Sequence, residues 1–589
     1  MTERHFTTWD GTKLFYRSWF PSESSESTPR RALILFHRGH EHSGRLDEIA
    51  RRLGGTEFAV FAWDARGHGN SPGERGWAES FAALVRDADT FAKHITREYC
   101  IVPENMAVVA HSVGAVIAAA WVHDYAPRIR ALVLASPAFR VKLYVPFALP
   151  FLRVRRKFQP KSFVKSYVRP GMLTHDTAEA KSYAADPLIS RAVSVNLLVD
   201  MYDTAERVVA NAAAIHTPTL LLSSGKDFVV KLPVQRKFFH RLSSVLKEMR
   251  EYETFYHDIW HERDRSWPID HTRDFLRRAF ATPVAPDVPP SNVETYERLT
   301  HRPSPIAGLA WTGQRAFLKI AGKLSGGIAT GWRSGFDSGD SLDYVYRNQT
   351  NGVSPIGRLI DRIYLDSPGW RGIRQRRANL EELLGRAIVL VRAEGKPAQI
   401  LDPAAGSGRY VLETVQRVGG APIGVTLRDW NAANVQAATE LARACRVEEF
   451  HAEQGDAFDR ASLAAVKPTP GIAIVSGLYE LFADNLMVRE SLAGLSDAMS
   501  EGGYLIYTNQ PWHPQLEMIA RVLRNREGKP WVMRCRSQAE IDGLVHAAGF
   551  EKIDTLLDRN GIFTVSLARR RTFTRQRESK MSRASGEHI

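Results

Sequence analysis

Cysteine is the scarcest signal in this chain. Only Cys100, Cys445 and Cys535 occur in 589 residues, far apart and in no CxxC pair. That excludes a disulfide scaffold and a cysteine zinc site, and it fits a reducing compartment. No metal is expected. Long apolar runs are missing too: no stretch reaches the roughly 18–20 uninterrupted residues of a membrane span. The opening Met1-Thr-Glu-Arg-His5 has no apolar segment of the secretory kind. A cytoplasmic place, peripheral at the inner face of the membrane, is therefore expected. Acidic residues are in deficit, 65 against 79 lysines and arginines, for a net charge of +14. A balance that basic points to a nucleic acid or an anionic membrane surface as partner. No internal repeats are present.

What the chain does have is 44% hydrophobic and 24% charged residues, the composition of folded domains. Its length exceeds one hydrophobic core, so two domains of about 200–300 residues are expected. Strand and helix patterns alternate twice, giving an α/β class for both halves. The first half covers residues 1–280, with a cap at about 140–200. A proline-rich run at 281–305 reads as a linker, and 306–375 as a helical N-terminal extension of the second domain. The second domain proper covers 376–570, and 571–589 reads as a basic polar tail.

In the first half, Ala32-Leu-Ile-Leu-Phe-His37, Phe58–Asp64, Met106–Ala110, Ile129–Ala135 and Pro218–Leu222 are apolar runs of the kind buried parallel strands show. Ala110-His-Ser-Val-Gly-Ala115 lies between one such strand and a helical run. Small residues around Ser112 suit a tight strand-to-helix turn that lifts the hydroxyl above the sheet. A serine nucleophile needs a base and an orienting acid, which follow it here in the order Asp227, in a turn after a strand, and His257. His261 is the rival base. His111, His68, Asp64 and Arg66 read as fasteners of the turns that bear them.

With His37-Arg-Gly-His-Glu-His-Ser-Gly-Arg45 and Asp64-Ala-Arg-Gly-His-Gly-Asn-Ser-Pro-Gly-Glu-Arg-Gly76 added, the region resembles the monoacylglycerol lipase and lysophospholipase (serine aminopeptidase S33-like) branch of the α/β-hydrolases over residues 6–280. The resemblance implies Ser112 as nucleophile, His257 as base and Asp227 as acid, with the amides of Gly39 and Val113 as oxyanion hole. Arg38 and His40 depart from the family, which has glycines there; bulk at these places is expected to restrict substrate or redirect the loop. Between Arg140 and Arg169 apolar and aromatic residues mix with cations and no acid. That composition suits either an interfacial segment on an anionic bilayer or a lid over an acyl pocket with a solvated basic rim. Both point to a lipid-like acyl ester.

In the second half, Ala398-Gln-Ile-Leu-Asp-Pro-Ala-Ala-Gly-Ser-Gly-Arg-Tyr410 reads as strand, small-residue turn and helix start. Gly406 and Gly408 let backbone approach a ligand, and the helix N-terminus favours a carboxylate. No Lys-Ser/Thr pair follows, which argues against a phosphate-binding loop. Further strands are read at Ala421–Leu427, before Gly455-Asp-Ala-Phe458, at Gly471–Leu478 and at Ser500–Tyr507. This order resembles the class I S-adenosylmethionine methyltransferases, Rossmann-like in fold. The resemblance implies S-adenosyl-L-methionine as cofactor. Asp402 and Gly406 would line its methionine end beside Gly408, Asp429 would hold the ribose and Asp456 the adenine amine. The family's ribose acid stands at the strand end, where this chain has Thr426; Asp429 falls three residues later, with helix capping as the other role. Ala404 replaces the first glycine, and Asp456 can equally cap a helix.

The place of the Asn/Asp-Pro-Pro-aromatic motif of DNA amino-methyltransferases holds Ser476-Gly-Leu-Tyr-Glu-Leu-Phe482, which disfavours nucleic-acid bases. Tyr479, Glu480, Asn509 and His513 stand where substrate residues would come, and each can instead be a packing or capping group. The expected function is bifunctional: hydrolysis of a lysophospholipid- or monoacylglycerol-class ester, and methyl transfer, in membrane lipid metabolism. The alternatives are that one half is a non-catalytic binding or docking module for the other, or that the second half methylates RNA or a small molecule.

Overall fold

The computed structural model describes residues 1–21, 30–282, 288–420 and 422–572. The tail read at 571–589 lies outside them beyond residue 572. The chain divides into two compact units, Met1–Val288 and Pro289–Ile589.

The first unit is built on an eight-stranded sheet of β1 (Thr2–Thr7), β2 (Lys13–Trp19), β3 (Ala32–Phe36), β4 (Ala59–Trp63), β5 (Met106–His111), β6 (Ala131–Ala135), β9 (Thr219–Ser224) and β10 (Lys247–Tyr252), in the order β1-β2-β4-β3-β5-β6-β9-β10. β1–β2 and β2–β4 are antiparallel and the other pairings parallel. Every residue of β3, β4, β5, β6 and β9 is buried. A strand covered on both faces has no solvent side, which is why these runs are continuously apolar rather than alternating. Between β6 and β9 a cap is inserted. It contains the helix Ala148–Phe158, a two-stranded ribbon of β7 (Phe163–Lys165) and β8 (Ala192–Ser194), and the helix Val195–Ala210.

The second unit has a seven-stranded sheet of β11 (Ala398–Asp402), β12 (Ile423–Asp429), β13 (Phe450–Gln454), β14 (Ile472–Val475), β15 (Tyr504–Asn509), β16 (Phe550–Leu557) and β17 (Thr564–Arg570). Its order is β13-β12-β11-β14-β15-β17-β16, parallel except where β17 runs antiparallel to β15 and β16. The chain winds outward from β11 through β12 to β13, then crosses to β14 on the other side. The crevice above β11 and β14 is thus the switch point at which such sheets bind ligands. The helix Pro368–Ala393 buries Leu380, Leu383, Leu384, Ala387, Ile388 and Val391, a 3.6-residue period, in the core of this sheet. Each of those leucines contributes about 1.5–3 kcal/mol through burial.

The proline-rich run is not wholly extended. Val293–Thr300 is a helix, and Ser291 donates through its hydroxyl to Glu540 at 2.5 Å, so this part belongs to the second unit. Helices at Pro305–Gly322, Gly326–Ser334, Gly339–Arg347 and Pro355–Leu365 follow before the long helix.

Candidate active sites

At the end of β5 the chain turns directly into the helix Val113–Tyr125, and Ser112 takes φ 53° at the turn. Positive φ at a serine is a strained conformation held by its surroundings. Gly114 is obligatory here, because a Cβ would lie 2.4 Å from the carbonyl oxygen of His37. The His257 ring nitrogens are 2.9 Å (Nε2) from Ser112 Oγ and 2.8 Å (Nδ1) from Asp227 Oδ2. Asp227 Oδ1 accepts from the amides of Val229 at 2.6 Å and Val230 at 2.9 Å. Burial works against its charge, but the adjacent His257 and these amides hold its pKa below the ordinary carboxylate value. The His257 carbonyl is met by His111 Nε2 at 3.1 Å. All three members of the chain are buried.

The amides of Gly39 and Val113 sit beside the serine, and a Cβ on Gly39 would touch Val113 Cγ2 at 3.0 Å. Neither amide has an acceptor among the described residues. A cavity of about 690 Å³ opens over Ser112 and His257, walled by Leu143, Val145, Phe147, Phe151 and Leu152 of the cap.

Arg38 and His40, the departures from glycine, are both accommodated. His40 has φ 72°, so the loop keeps the left-handed turn a glycine would make. Arg38 is 3% exposed and forms ion pairs with Glu41 at 2.8 Å and Asp258 at 3.4 Å, its guanidinium 4.6 Å over Tyr183. His261 binds Asp258 at 2.9 Å and the Arg45 carbonyl at 3.0 Å. It therefore braces the loop behind His257 and is not brought to Ser112. Asp64 accepts from the amides of Ser43 and Asn70, and Arg66 pairs with Asp87 and Asp10.

In the second unit the loop between β11 and the helix Arg409–Val418 has Gly406 at φ 57° and Gly408 at φ 64°. A Cβ on Gly406 would meet nothing within 4 Å, so the loop is open to a ligand there. Asp429 accepts from the Gly406 amide at 2.9 Å, the Asn431 amide at 2.9 Å and Asn434 Nδ2 at 3.0 Å. It is the last residue of β12. The strand end is later than the sequence reading put it because pairing with β13 continues through Arg428 and Asp429, while Thr426 is buried within the strand.

A cavity of about 1080 Å³ lies against this loop. Gly406, Asp429 and Asp456 line it, and Asp456 also accepts from the Phe458 amide at 2.8 Å. Asp402 and Gly408 do not line it. Asp402 is fully buried and bonded to the Tyr410 hydroxyl and the Ala404 amide, and burial pushes its pKa up to about 7. Gly408 caps the following helix, where a Cβ would strike Leu427 at 2.2 Å. Both residues shape the loop from beneath.

Of the four substrate candidates, Glu480 and His513 line the cavity, and burial lowers the His513 pKa to about 4. Tyr479 bonds Ser491 and Asn509 bonds the Arg536 carbonyl, both as packing groups. Sequence reasoning missed Arg376, which meets Glu480 at 3.3 Å, and the aromatic wall of Trp370, Trp531 and Phe563. It also missed that the helical extension roofs the cavity through Phe317, Leu318 and Tyr346, tied down by Arg409 to Asp343 at 2.9 Å. An arginine at the head of a long helix gives no local motif that would have revealed it.

These residues fit S-adenosylmethionine. The open turn at Gly406 and the strand-end carboxylate are on the same wall. Asp429 Oδ2, engaged among the described residues by the Gly406 amide alone, keeps a lone pair for a ribose hydroxyl. Among the described residues no cluster suited to a metal ion occurs, and no helix is long and apolar enough to cross a membrane.

Residues 27–264 match the family described as "Serine aminopeptidase, S33", and residues 272–570 the family described as "Putative methyltransferase". Uncharacterized protein YnbC of Escherichia coli is 47% identical over 579 residues, 97% of this chain and 98% of that protein. The monoacylglycerol lipase of Mycolicibacterium smegmatis is 25% identical over 277 residues, 47% of this chain and 96% of the lipase. The crystal structure of the Paleococcus ferrophilus monoacylglycerol lipase covers 46% of this chain and 98% of its own at 26% identity, with a TM-score of 0.40. The chain belongs to that "Putative methyltransferase" family and carries ahead of the methyltransferase domain an α/β-hydrolase domain related to the monoacylglycerol lipases.

Proposed function

We propose that the protein is a bifunctional enzyme of membrane lipid metabolism. Its first unit is a serine esterase for monoacylglycerol- or lysophospholipid-class esters. Its second transfers a methyl group from S-adenosylmethionine to an amphiphilic acceptor. The observation that carries the reading is the unbroken Ser112–His257–Asp227 chain at the floor of an apolar, cap-walled cavity.

In hydrolysis, Ser112 Oγ attacks the ester carbonyl while His257 Nε2 takes its proton. The Gly39 and Val113 amides donate to the oxyanion. His257 then protonates the departing alcohol, leaving an acyl group on Ser112. Water, deprotonated by the same nitrogen, releases the carboxylic acid and restores the serine. Asp227 holds the ring in the required tautomer throughout.

In the second unit, S-adenosylmethionine when bound supplies an electrophilic methyl on its sulfonium. Gly406, Asp429 and Asp456 would hold it. The aromatic wall takes the acceptor's apolar body, while Arg376, Glu480 and His513 orient its polar end; catalysis here is mainly positioning. The cap supports work at an interface. Phe147, which precedes the helix Ala148–Phe158, and Phe151 and Phe158 within it are exposed, and its last turn carries Arg155, Arg156 and Lys157, a pattern suited to an anionic bilayer at the inner face of the membrane.

A fluorophosphonate probe and calorimetry with S-adenosylmethionine test the two halves separately. Labelling of the wild type but not of Ser112→Ala, and binding weakened by Asp429→Ala, are expected. An unlabelled wild type would overturn the hydrolase reading, and absence of binding the methyltransferase reading.

A further inference from the structure

The helix Pro305–Gly322 is apolar on two faces. Trp311 and Leu318 pack into the core cluster beneath it. On another face Ile306, Leu309, Phe317 and Ile320 follow one another at three- and eight-residue steps, Ile306 being 87% and Phe317 69% exposed, and Leu324 follows just past the helix end. The helix Pro355–Leu365 repeats the arrangement with Ile356, Leu359 and Ile363, each exposed. The chain leaving the first helix meets the chain entering the second: the Val353 amide donates to the Leu324 carbonyl at 3.2 Å, and Val353 is itself exposed. Monomeric proteins rarely leave apolar surface of that extent uncovered.

Charge indicates what covers it. From His301 to Phe336 there is no aspartate or glutamate, while Arg302, Arg315, Lys319, Lys323 and Arg333 are present. Arg358 and Arg362 lie on the second helix. Apolar side chains framed by cations match an anionic bilayer, with hydrocarbon at the headgroup boundary and phosphates on the cations. The face also leads inward, because Phe317, one of its exposed members, lines the methyl-transfer cavity together with Gln314 and Leu318.

We propose that the face formed by these two helices is a bilayer-docking surface belonging to the second unit, and that Phe317 marks the entrance through which a membrane-borne acceptor reaches the cavity. The entrance role rests on the methyl-transfer reading, and the docking does not.

Docking is tested in the full chain. In a Cys100→Ser background, which removes the exposed thiol, Ile356→Cys is labelled with an environment-sensitive fluorophore. Phosphatidylcholine vesicles containing phosphatidylglycerol are expected to shift its emission to the blue, phosphatidylcholine alone much less. A label at Gln436→Cys, on the helix Ala432–Ala444, is expected to stay unshifted. Lys319→Glu with Lys323→Glu should weaken the response at least tenfold, at about 1 kcal/mol per cation near the surface. No shift at position 356 would overturn the proposal. So would a shift that tracks protein concentration without vesicles, which would make the face a contact between copies. For the entrance, Ile320→Glu with Ile356→Glu should lose methyl incorporation into a total lipid extract presented as vesicles while keeping it for the same extract in detergent. Equal loss from both presentations would overturn the entrance. A wild type inactive toward both would instead overturn the methyl-transfer reading.

Discussion

Arg38 stands where the monoacylglycerol lipase pattern has glycine, and restoring that glycine should weaken the first unit. The guanidinium is buried with Glu41 at 2.8 Å and Asp258 at 3.4 Å. Deleting one partner of a buried ion pair costs about 3–5 kcal/mol, because the other charge remains out of water. Here Glu41 keeps Arg45 at 2.9 Å and Asp258 keeps His261 at 2.9 Å, so the lower end applies. About 3 kcal/mol is some two powers of ten in the unfolding equilibrium of the unit. A chain of two units does not unfold in one step, so esterase activity is followed across a urea series. Arg38→Gly should lower the inactivation midpoint. Adding Glu41→Gln should recover part of the loss, with a coupling of about 1–3 kcal/mol. Asp258 adjoins His257, so kcat should fall more than KM changes. An unchanged midpoint in Arg38→Gly, or no recovery in the double variant, would refute the reasoning.

Asp227→Asn should lower kcat roughly 10⁴-fold while leaving the fold intact, since it removes the anchor of the His257 tautomer; a loss below tenfold would count against its role. Asp402, raised to about 7 from 3.8 by burial, binds a proton in the folded state that the unfolded chain has released in that window. Its contribution is therefore complete below about pH 4 and is lost as pH rises through 7, by at most about 4 kcal/mol at 1.36 kcal/mol per unit. Asp402→Asn should accordingly flatten the pH dependence of second-unit stability measured by urea titration between pH 5 and 8. Gly408→Ala should strain the loop by about 1–2 kcal/mol through its positive φ and the contact with Leu427, and weaken S-adenosylmethionine binding in calorimetry.

The central parallel strands of both sheets were legible in the sequence, because strands covered on both faces are written as uninterrupted apolar runs; the edge strands β1 and β16 and the antiparallel β2 and β17 were not. The Ser112, Asp227 and His257 order was legible for a similar reason: a tight turn demands small neighbours, and acid and base follow on later strand ends. What escaped was set by tertiary context. The end of β12 depends on pairing with β13, so Asp429 looked displaced when it closes the strand. Asp402 carries the family's position yet faces Tyr410 rather than the cavity. Arg376, Trp370 and the roof at Phe317 come from helices far from the glycine turn, and no local pattern joins them to it. Arg38 and His40 looked like disturbances of the oxyanion loop; a buried counter-charge and a left-handed backbone absorb them.

The most direct test of the two-site account is incubation of the full-length protein with radiolabelled S-adenosylmethionine and a total membrane-lipid extract, comparing wild type, Ser112→Ala and Asp429→Ala by lipid chromatography. The account predicts labelled lipid with wild type and much less with Asp429→Ala, and label lost with Ser112→Ala would mean that hydrolysis supplies the acceptor. Wild-type protein that yields no labelled lipid would contradict it.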